Sequence, residues 1–436
     1  MAGGGGMRRL AYVCADGGVP VFGTKGCSVH VQEFIRACLH DGIHVTLFAT
    51  RLGADAPADL GVIPVHRLVE SRSGASRAAV DPVLARERSA IARNRGLAAH
   101  LAACGPFDAV YERHALWSCG AMEFARAVGI PGLLEVNAPL LREQLQHRSL
   151  RLHDVAARMM RRAFHAADVV LPVSDVLGDW LVGEGVARER VHVQPNAVDP
   201  TRFAGRPAPA LPEAPGLVTI GFLGTLKPWH GLDVLVDAFA VARRRGALCR
   251  LLIVGDGPGR PALEARLAGL GLAHLVTWAG AVSPADVPAW LASMDIGVVP
   301  YASRDECYFS PLKAFEYMAA GRAVVGSSVG QLPLLLRDGA GIVVPPGDAE
   351  ALAVALETLC SAPVARARMG ELARARVLAE HTWAGTVARV RELARASAAR
   401  RAPRATTVPT ASFSTADHRL PRVDAAEVRD VAANSH

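Results

Sequence analysis

Short apolar runs, each followed by a stretch of helical spacing, recur from Arg9 to about residue 199. Leu10–Cys14 is the first run and leads straight into a glycine-rich loop. Ser28–His40 then reads as a helix, with Ser28 placed to cap it. His44–Ala49, Ala109–Tyr111, Gly132–Val136 and Val169–Val173 read as further strands, each ending where polar residues begin. Strands spaced by helices predict βαβ units and a mostly parallel sheet.

Residues 203–216 interrupt this rhythm with Pro207, Pro209, Pro212 and Pro215, and read as an extended linker. The pattern then restarts. Val218–Phe222, Arg250–Val254, Val276–Trp278, Ile296–Val299, Ala323–Gly326 and Gly341–Val344 are the strands of a second sheet. The expected organisation is a first Rossmann-like domain over 7–202, the linker, and a second Rossmann-like domain over 217–396 whose last helix packs back on the first. Two consecutive doubly wound domains face their strand C-termini across a cleft, a natural place for a small molecule. From 397 to 436 apolar periodicity gives way to Arg, Ala, Ser, Thr and Pro, so a disordered tail is expected.

Composition agrees with two cores. The chain has 436 residues, 51% apolar and 20% charged. A net charge of +7 suits a nucleotide diphosphate or an anionic surface as well as a polyanion. None of the eight cysteines forms a C-x-x-C pair, so reduced thiols in a cytoplasmic protein are expected. No apolar run is long enough to span a membrane. Met1–Gly6 lacks signal-peptide design, and Met7 is the expected start.

Three stretches carry candidate chemistry. Gly17–Gly26 (GGVPVFGTKG) opens the first helix, and its glycines would let backbone amides approach a phosphate. It departs from a P-loop because Thr24-Lys25 reverses the required order, and a plain strand-to-helix turn fits it equally well. Gly255-Asp256-Gly257-Pro258 follows a strand, but Arg260 stands where a dinucleotide fingerprint needs its third glycine. Tyr308–Gly321 (YFSPLKAFEYMAAG) places a helix start at Ser310-Pro311, with Lys313 and Glu316 on its first turns. Free amides and Lys313 there could hold a diphosphate while Glu316 bonds a ribose diol. An amphipathic helix with a charged face is the plainer reading of the same pattern.

Glu316-Tyr317-Met318-Ala319-Ala320-Gly321 resembles the second half of the donor-binding motif of the family 4 retaining glycosyltransferases of GT-B fold. Other pieces resemble the same family in the same order: Val173-Ser174, PNAVD at 195–199 with Phe203, Phe222-Leu223-Gly224, IVGDGP at 253–258, Gly280, Pro300-Tyr301, and Pro345-Pro346-Gly347-Asp348. Together they span roughly residues 7–395. The resemblance implies that Glu316 binds the donor ribose and that Ser310, Leu312 and Lys313 hold diphosphate and sugar from the backbone, beside Pro311, which has no N–H to offer. It further implies donor contacts at Gly23, Lys25 and Gly26 on the first-domain loop, and at Gly224, Thr225, Gly255, Gly257, Gly280 and Val282 in the second domain.

The chain departs from the family pattern in places. Tyr308 stands where the motif has its first glutamate, and a phenol can still donate and accept there. The family's basic pair falls on Thr225 and His230, and Lys227 is available to supply charge. Lys227, His230, Glu316 and Asn137 are therefore the candidate catalytic residues, with His114 a rival to Asn137 and His30 expected to pack. The implied reaction is retaining transfer of a hexose-type sugar, with UDP the favoured nucleotide, onto an acceptor such as a secondary metabolite, glycolipid or polysaccharide precursor. No Asp-x-Asp occurs, so neither a metal nor a cofactor is expected. A nucleotide-sugar epimerase or a non-catalytic nucleotide-sugar-binding protein would share the architecture. Arg142, Arg148, Arg151, Arg158, Arg161 and Arg162 form a basic run without interleaved aromatics, which argues against nucleic acid. A solvated helix face or peripheral docking on the inner membrane face accounts for it. The sequence leaves the oligomeric state open.

Overall fold

A computed structural model describes residues 7–69, 81–147, 149–205, 207–303 and 307–401. The first sheet comprises β1 (Arg9–Cys14), β2 (His44–Ala49), β3 (Val65–Arg67), β4 (Ala109–Arg113), β5 (Gly132–Val136) and β6 (Val169–Pro172). The second comprises β7 (Val218–Leu223), β8 (Cys249–Val254), β9 (Val276–Gly280), β10 (Ile296–Val299), β11 (Ala323–Ser327) and β12 (Ile342–Val344). Strand orders are β3-β2-β1-β4-β5-β6 and β12-β11-β10-β7-β8-β9, and every ladder is parallel. This is the expected pair of doubly wound domains. The order reverses between β1 and β4 and again between β7 and β10. Loops beyond the strand ends diverge there and leave a crevice.

The helices of the first half are α1 (Gly26–His40), α2 (Pro82–Cys104), α3 (Gly120–Val128), α4 (Leu140–His147), α5 (His153–Ala166) and α6 (Asp175–Gly183). Those of the second are α7 (Leu232–Arg244), α8 (Arg260–Gly269), α9 (Val287–Ala292), α10 (Leu312–Ala319), α11 (Leu332–Leu335), α12 (Ala349–Ser361), α13 (Pro363–Glu380) and α14 (Trp383–Arg400). Each sheet is covered on both faces by its own apolar clusters. Because both faces are buried, the strands read as near-continuous apolar runs. Trp383, Val387, Val390 and Leu393 of α14 belong to the cluster built on Leu10 and Tyr12, so the last helix does return to the first domain.

Four expectations change. Strand β3 was not foreseen, because Val-His-Arg carries no apolar run. Ser28 does not cap α1: it lies inside the helix and donates its hydroxyl to the Pro20 carbonyl at 2.5 Å. The linker does not hang free, since Ala210 and Leu211 donate amides to Ala289 and to Ser293 Oγ of the second domain. The expected tail start at 397 falls inside α14, where Ser397 is buried; residues 402–436 lie outside the described residues, as do Met1–Gly6.

Candidate functional site

At the C-terminal edge of the second sheet the strands end in glycine. Gly224, Gly255 and Gly280 have φ of 138°, 134° and 70°. A Cβ on Gly255 would lie 2.0 Å from the Gly224 carbonyl oxygen, and one on Gly257 would lie 2.8 Å from the Leu226 backbone. Side chains there would force the loops apart, so these glycines bring the ends of β7 and β8 together. Gly231 closes the other side. Its Cβ would sit 1.7 Å from the Pro300 oxygen, which locks the turn before α7 against the end of β10.

Into this narrow crest projects the head of α10. Its N-cap is Pro311, which supplies no capping side chain, and the Pro311 carbonyl accepts from Ala314 N. Such a helix start presents free amides and a partial positive charge. Lys313 on the first turn is 8% exposed. Its ammonium has no hydrogen-bond partner among the described residues and rests 3.9 Å from the centre of the Phe222 ring. Burial pushes it down to about 7, only partly offset by Glu316. Burial likewise raises the Glu316 carboxyl, against the pull of Arg202, whose guanidinium lies 3.3 Å from Oε1. Glu33 of α1 adds a further negative charge facing Glu316.

His230 stands beside this cluster. Its Nδ1 lies 2.5 Å from the Thr225 carbonyl, which fixes Nδ1 as the protonated nitrogen and leaves Nε2 as an acceptor. Burial, followed by the Lys313 charge, pushes the imidazole down to about 4, with Lys227 adding to the effect. Lys227 itself reaches over the exposed Trp229 ring at 5.5 Å. The head of α10 thus gathers Lys313, Lys227 and helix amides around a neutral histidine.

The first domain meets this head through buried polar groups. Glu135, in the middle of an otherwise apolar strand, accepts from Tyr111 Oη at 2.6 Å and Arg113 at 2.7 Å, and faces His30 Nε2 at 2.8 Å. The Asn137 amide also donates to it. Burial alone would raise this carboxyl, yet His30 and then Arg113 hold it well below the usual carboxylate range. His30 Nδ1 faces Asn196 Oδ1 at 2.6 Å, and the Asn196 amide nitrogen donates to the Ser310 carbonyl at 2.5 Å. His30 thus meets an oxygen at each ring nitrogen. Asn196 N also donates to Ser310 Oγ at 3.0 Å, so a continuous polar chain runs from β5 to the residues leading into α10. His30 therefore does more than pack, although its ring also meets Trp383 edge-on at 4.8 Å.

The Gly17–Gly26 loop is pinned rather than loose. Gly23 N donates to Pro20, and Gln32 donates to the Val21 and Gly23 carbonyls. A Cβ on Gly26 would sit 3.4 Å from Leu312, so the N-terminus of α1 abuts that of α10. Lys25 is the N-cap residue of α1 and is exposed. A cavity of about 930 Å³ lies in the first domain beyond the ends of β1, β2 and β4. Asp16, Gly17, Gly18, Trp117 and Glu143 line it, rather than the α10 head. Tyr308 connects the two, since its phenol donates to Glu143 and its carbonyl accepts from Ser174 at 2.6 Å.

The structure thus brings together Lys313, Glu316, Gly224, Thr225, Lys227 and His230, with Ser310, Pro311 and Leu312 at the helix start. Gly255 and Gly257 have a packing reason for being glycine, and Val282 lies against the second-domain core. His114 is buried against Phe164 at 5.2 Å, away from this head. Sequence reasoning missed Arg202, Glu33, Glu135, Asn196 and Glu143. For Glu135 a signal existed, a charge inside an apolar strand. The arginine run carries ion pairs on its solvated face, Arg151 with Asp81 and Arg162 with Glu123; Arg148 lies outside the described residues. No described helix is long and apolar enough to cross a membrane.

Residues 24–202 match the profile described as Glycosyltransferase Family 4, and residues 218–362 match Glycosyl transferases group 1. Alpha-D-kanosaminyltransferase of Streptomyces kanamyceticus is 31% identical over 259 residues, covering 57% of this chain and 66% of that protein. Alignments with the curated relatives span between about half and two thirds of their own length. Among solved structures, sucrose-phosphate synthase of Thermosynechococcus elongatus superposes with a TM-score of 0.67 at 19% identity, over 89% of this chain and 98% of that one. Anabaena HepE, solved in complex with UDP, gives 0.63 at 18% identity, over 88% and 99%. At such identities the likeness concerns the GT-B fold.

Proposed function

Because the chain belongs to the group 1, family 4 glycosyltransferases, both of whose domain profiles it carries, we propose that it transfers a hexose-type sugar from a UDP-sugar to an acceptor seated in the first-domain cavity. The carrying observation is the buried Lys313 ammonium, without a hydrogen-bond partner among the described residues, at the uncapped head of α10. An unpaired buried charge is costly, and a diphosphate would supply the missing anion.

In this reading the amides of Leu312 and Lys313 and the Lys313 ammonium hold the diphosphate below the Gly224 turn. Glu316 bonds the ribose diol, with Arg202 keeping its carboxylate charged. Negative charge grows on the leaving diphosphate, and donors already aimed at it stabilise that change without reorganising. As the phosphates offset Lys313 and Lys227, the His230 imidazole gains affinity for a proton and can donate from Nε2. Charge is met by these groups, so metal-independent transfer is proposed. Retention through front-face attack, with a donor phosphate oxygen taking the acceptor proton, requires no side-chain base. Tyr308 and Glu143 bridge the donor head and the cavity, where they would face the sugar and acceptor hydroxyls. The choice of UDP draws on the UDP complex of the HepE fold relative.

A thermal-shift panel of UDP-, GDP- and ADP-sugars in excess EDTA tests the reading. A UDP-sugar should raise the melting temperature, because a ligand that binds only the folded state stabilises it, by about 2.7 kcal/mol at a hundredfold excess over Kd. No shift with any nucleotide sugar, or a shift that requires added manganese, would contradict it.

A further inference from the structure

A second cluster lies in the first domain, at its sheet edge. His66 is the middle residue of β3, and His100 and Cys104 stand one helical turn apart on one face of α2. His100 Nε2 lies 3.3 Å from His66 Nδ1, and Cys104 Sγ lies 3.7 Å from the same nitrogen. All three donor atoms fall within 4.8 Å of one another. We propose that His66, His100 and Cys104 form a binding site for a zinc-class divalent metal that ties the edge strand β3 to the last turns of α2.

The distances carry the argument. A tetrahedral zinc with Zn–N of about 2.0–2.1 Å and Zn–S of about 2.3 Å holds its ligand atoms roughly 3.3–3.6 Å apart. The two edges that meet at His66 Nδ1 already have about that length, and the third, between His100 and Cys104, is no longer than 4.8 Å, so side-chain adjustment at Cys104 and His100 suffices to close the tetrahedron. The hydrogen-bonding account of the same contacts is poorer. A neutral imidazole nitrogen offers one in-plane lone pair, yet His66 Nδ1 has both the His100 ring nitrogen and the Cys104 thiol directed at it. A metal removes that competition, because each of the three atoms then points its own lone pair at the ion.

The chemistry of the set also selects the ion. Two imidazoles and a thiolate suit zinc or cobalt(II) and disfavour calcium or magnesium, which prefer oxygen ligands. All three residues are partly exposed, so an ion can reach them and water can complete the fourth position. Phe48 holds the rings in place, stacking on His66 at 5.0 Å and meeting His100 edge-on at 5.4 Å. On binding, the Cys104 S–H bond breaks heterolytically, the sulfur lone pair goes to the metal and the proton to solvent. No oxidation is involved. The site is separate from the α10 head, and its role is to staple the first-domain wall.

Metal-stripped, untagged protein titrated with Co²⁺ tests this. The expected result is binding of one equivalent, with a thiolate-to-cobalt charge-transfer band and the intense visible bands of a tetrahedral site. Zn²⁺ should bleach both and raise the melting temperature. Cys104→Ser, close to isosteric, should lose the charge-transfer band and the zinc-induced stabilisation while keeping its metal-free melting temperature; His100→Ala should lose tight binding. The proposal is overturned if wild-type protein shows only weak octahedral cobalt bands, if Cys104→Ser gives the same spectrum as wild type, or if Zn²⁺ leaves the melting temperature unchanged.

Discussion

Each domain buries a charged side chain near the cleft, and the two are treated in opposite ways. Glu135 in the first domain is met by Tyr111, Arg113, His30 and Asn137. Lys313 in the second is buried almost as deeply and has no hydrogen-bond partner among the described residues. The first arrangement holds its group charged despite burial, whereas the second drives its group toward neutrality. A buried charge with a full set of partners is a closed structural unit. One without partners lowers stability and persists where a ligand completes it. By this contrast the first-domain cluster is structural, and the head of α10 is where the proposed diphosphate would complete an unpaired charge.

Breaking the satisfied cluster should have the largest effect. Glu135→Gln leaves His30 and Arg113 without their anion, and disrupting such buried pairs costs about 3–5 kcal/mol. Urea unfolding measures this; a loss below about 1 kcal/mol would remove the cluster's structural role. Next comes Glu316→Ala, which should weaken UDP-sugar binding by roughly 2–4 kcal/mol through loss of charged hydrogen bonds to the ribose. Its melting temperature should change little, because the carboxyl is itself held at a cost by burial. Near-normal calorimetric affinity would refute the ribose contact.

Proton linkage gives a subtler probe. Lys313 is held at about 7 in the folded chain, and a bound diphosphate must raise that value. UDP binding at pH 8 should therefore take up a proton, approaching about one per site. Calorimetry in buffers of different ionisation enthalpy reads the uptake directly, and zero uptake would contradict the open-anion reading. The smallest effect is expected for His230→Gln. It should lower turnover by about tenfold while UDP affinity stays nearly constant, since the contact strengthens only as charge develops on the leaving group. Equal losses in both would assign His230 to ground-state binding or packing.

How much of this was legible beforehand follows from the range of the interactions. Strands such as β1 and β8 announce themselves as mostly apolar runs, and the start of α10 is marked by Ser310-Pro311. The proposed diphosphate seat was half visible, as a lysine and a glutamate on the first turns of one helix. Its burial against Phe222 was not, because that contact comes from a strand some ninety residues earlier. The Glu135 cluster was hidden for the same reason. Its members lie on β4, α1, β5 and the residue just after β5, and His30 reaches Asn196 across 166 positions. Periodicity and local motifs report neighbours in sequence, whereas these groups are neighbours only after both sheets form. The α2–β3 metal cluster was equally silent, since β3 itself carries no strand signal.

The most direct test of the open anion site is Lys313→Met, followed by unfolding across pH with and without UDP. The lysine value falls from 10.5 in the unfolded chain to about 7 when folded. Between those limits the unfolded state binds more protons, so wild-type stability should rise with pH through that window. Methionine keeps much of the length and removes the charge. The variant should therefore be more stable than wild type at pH 6, by roughly 2–4 kcal/mol, with the gain shrinking toward pH 10, and UDP should no longer stabilise it. A variant that is less stable at pH 6 and still responds to UDP would show that the Lys313 ammonium is part of the fold and not the seat of the diphosphate.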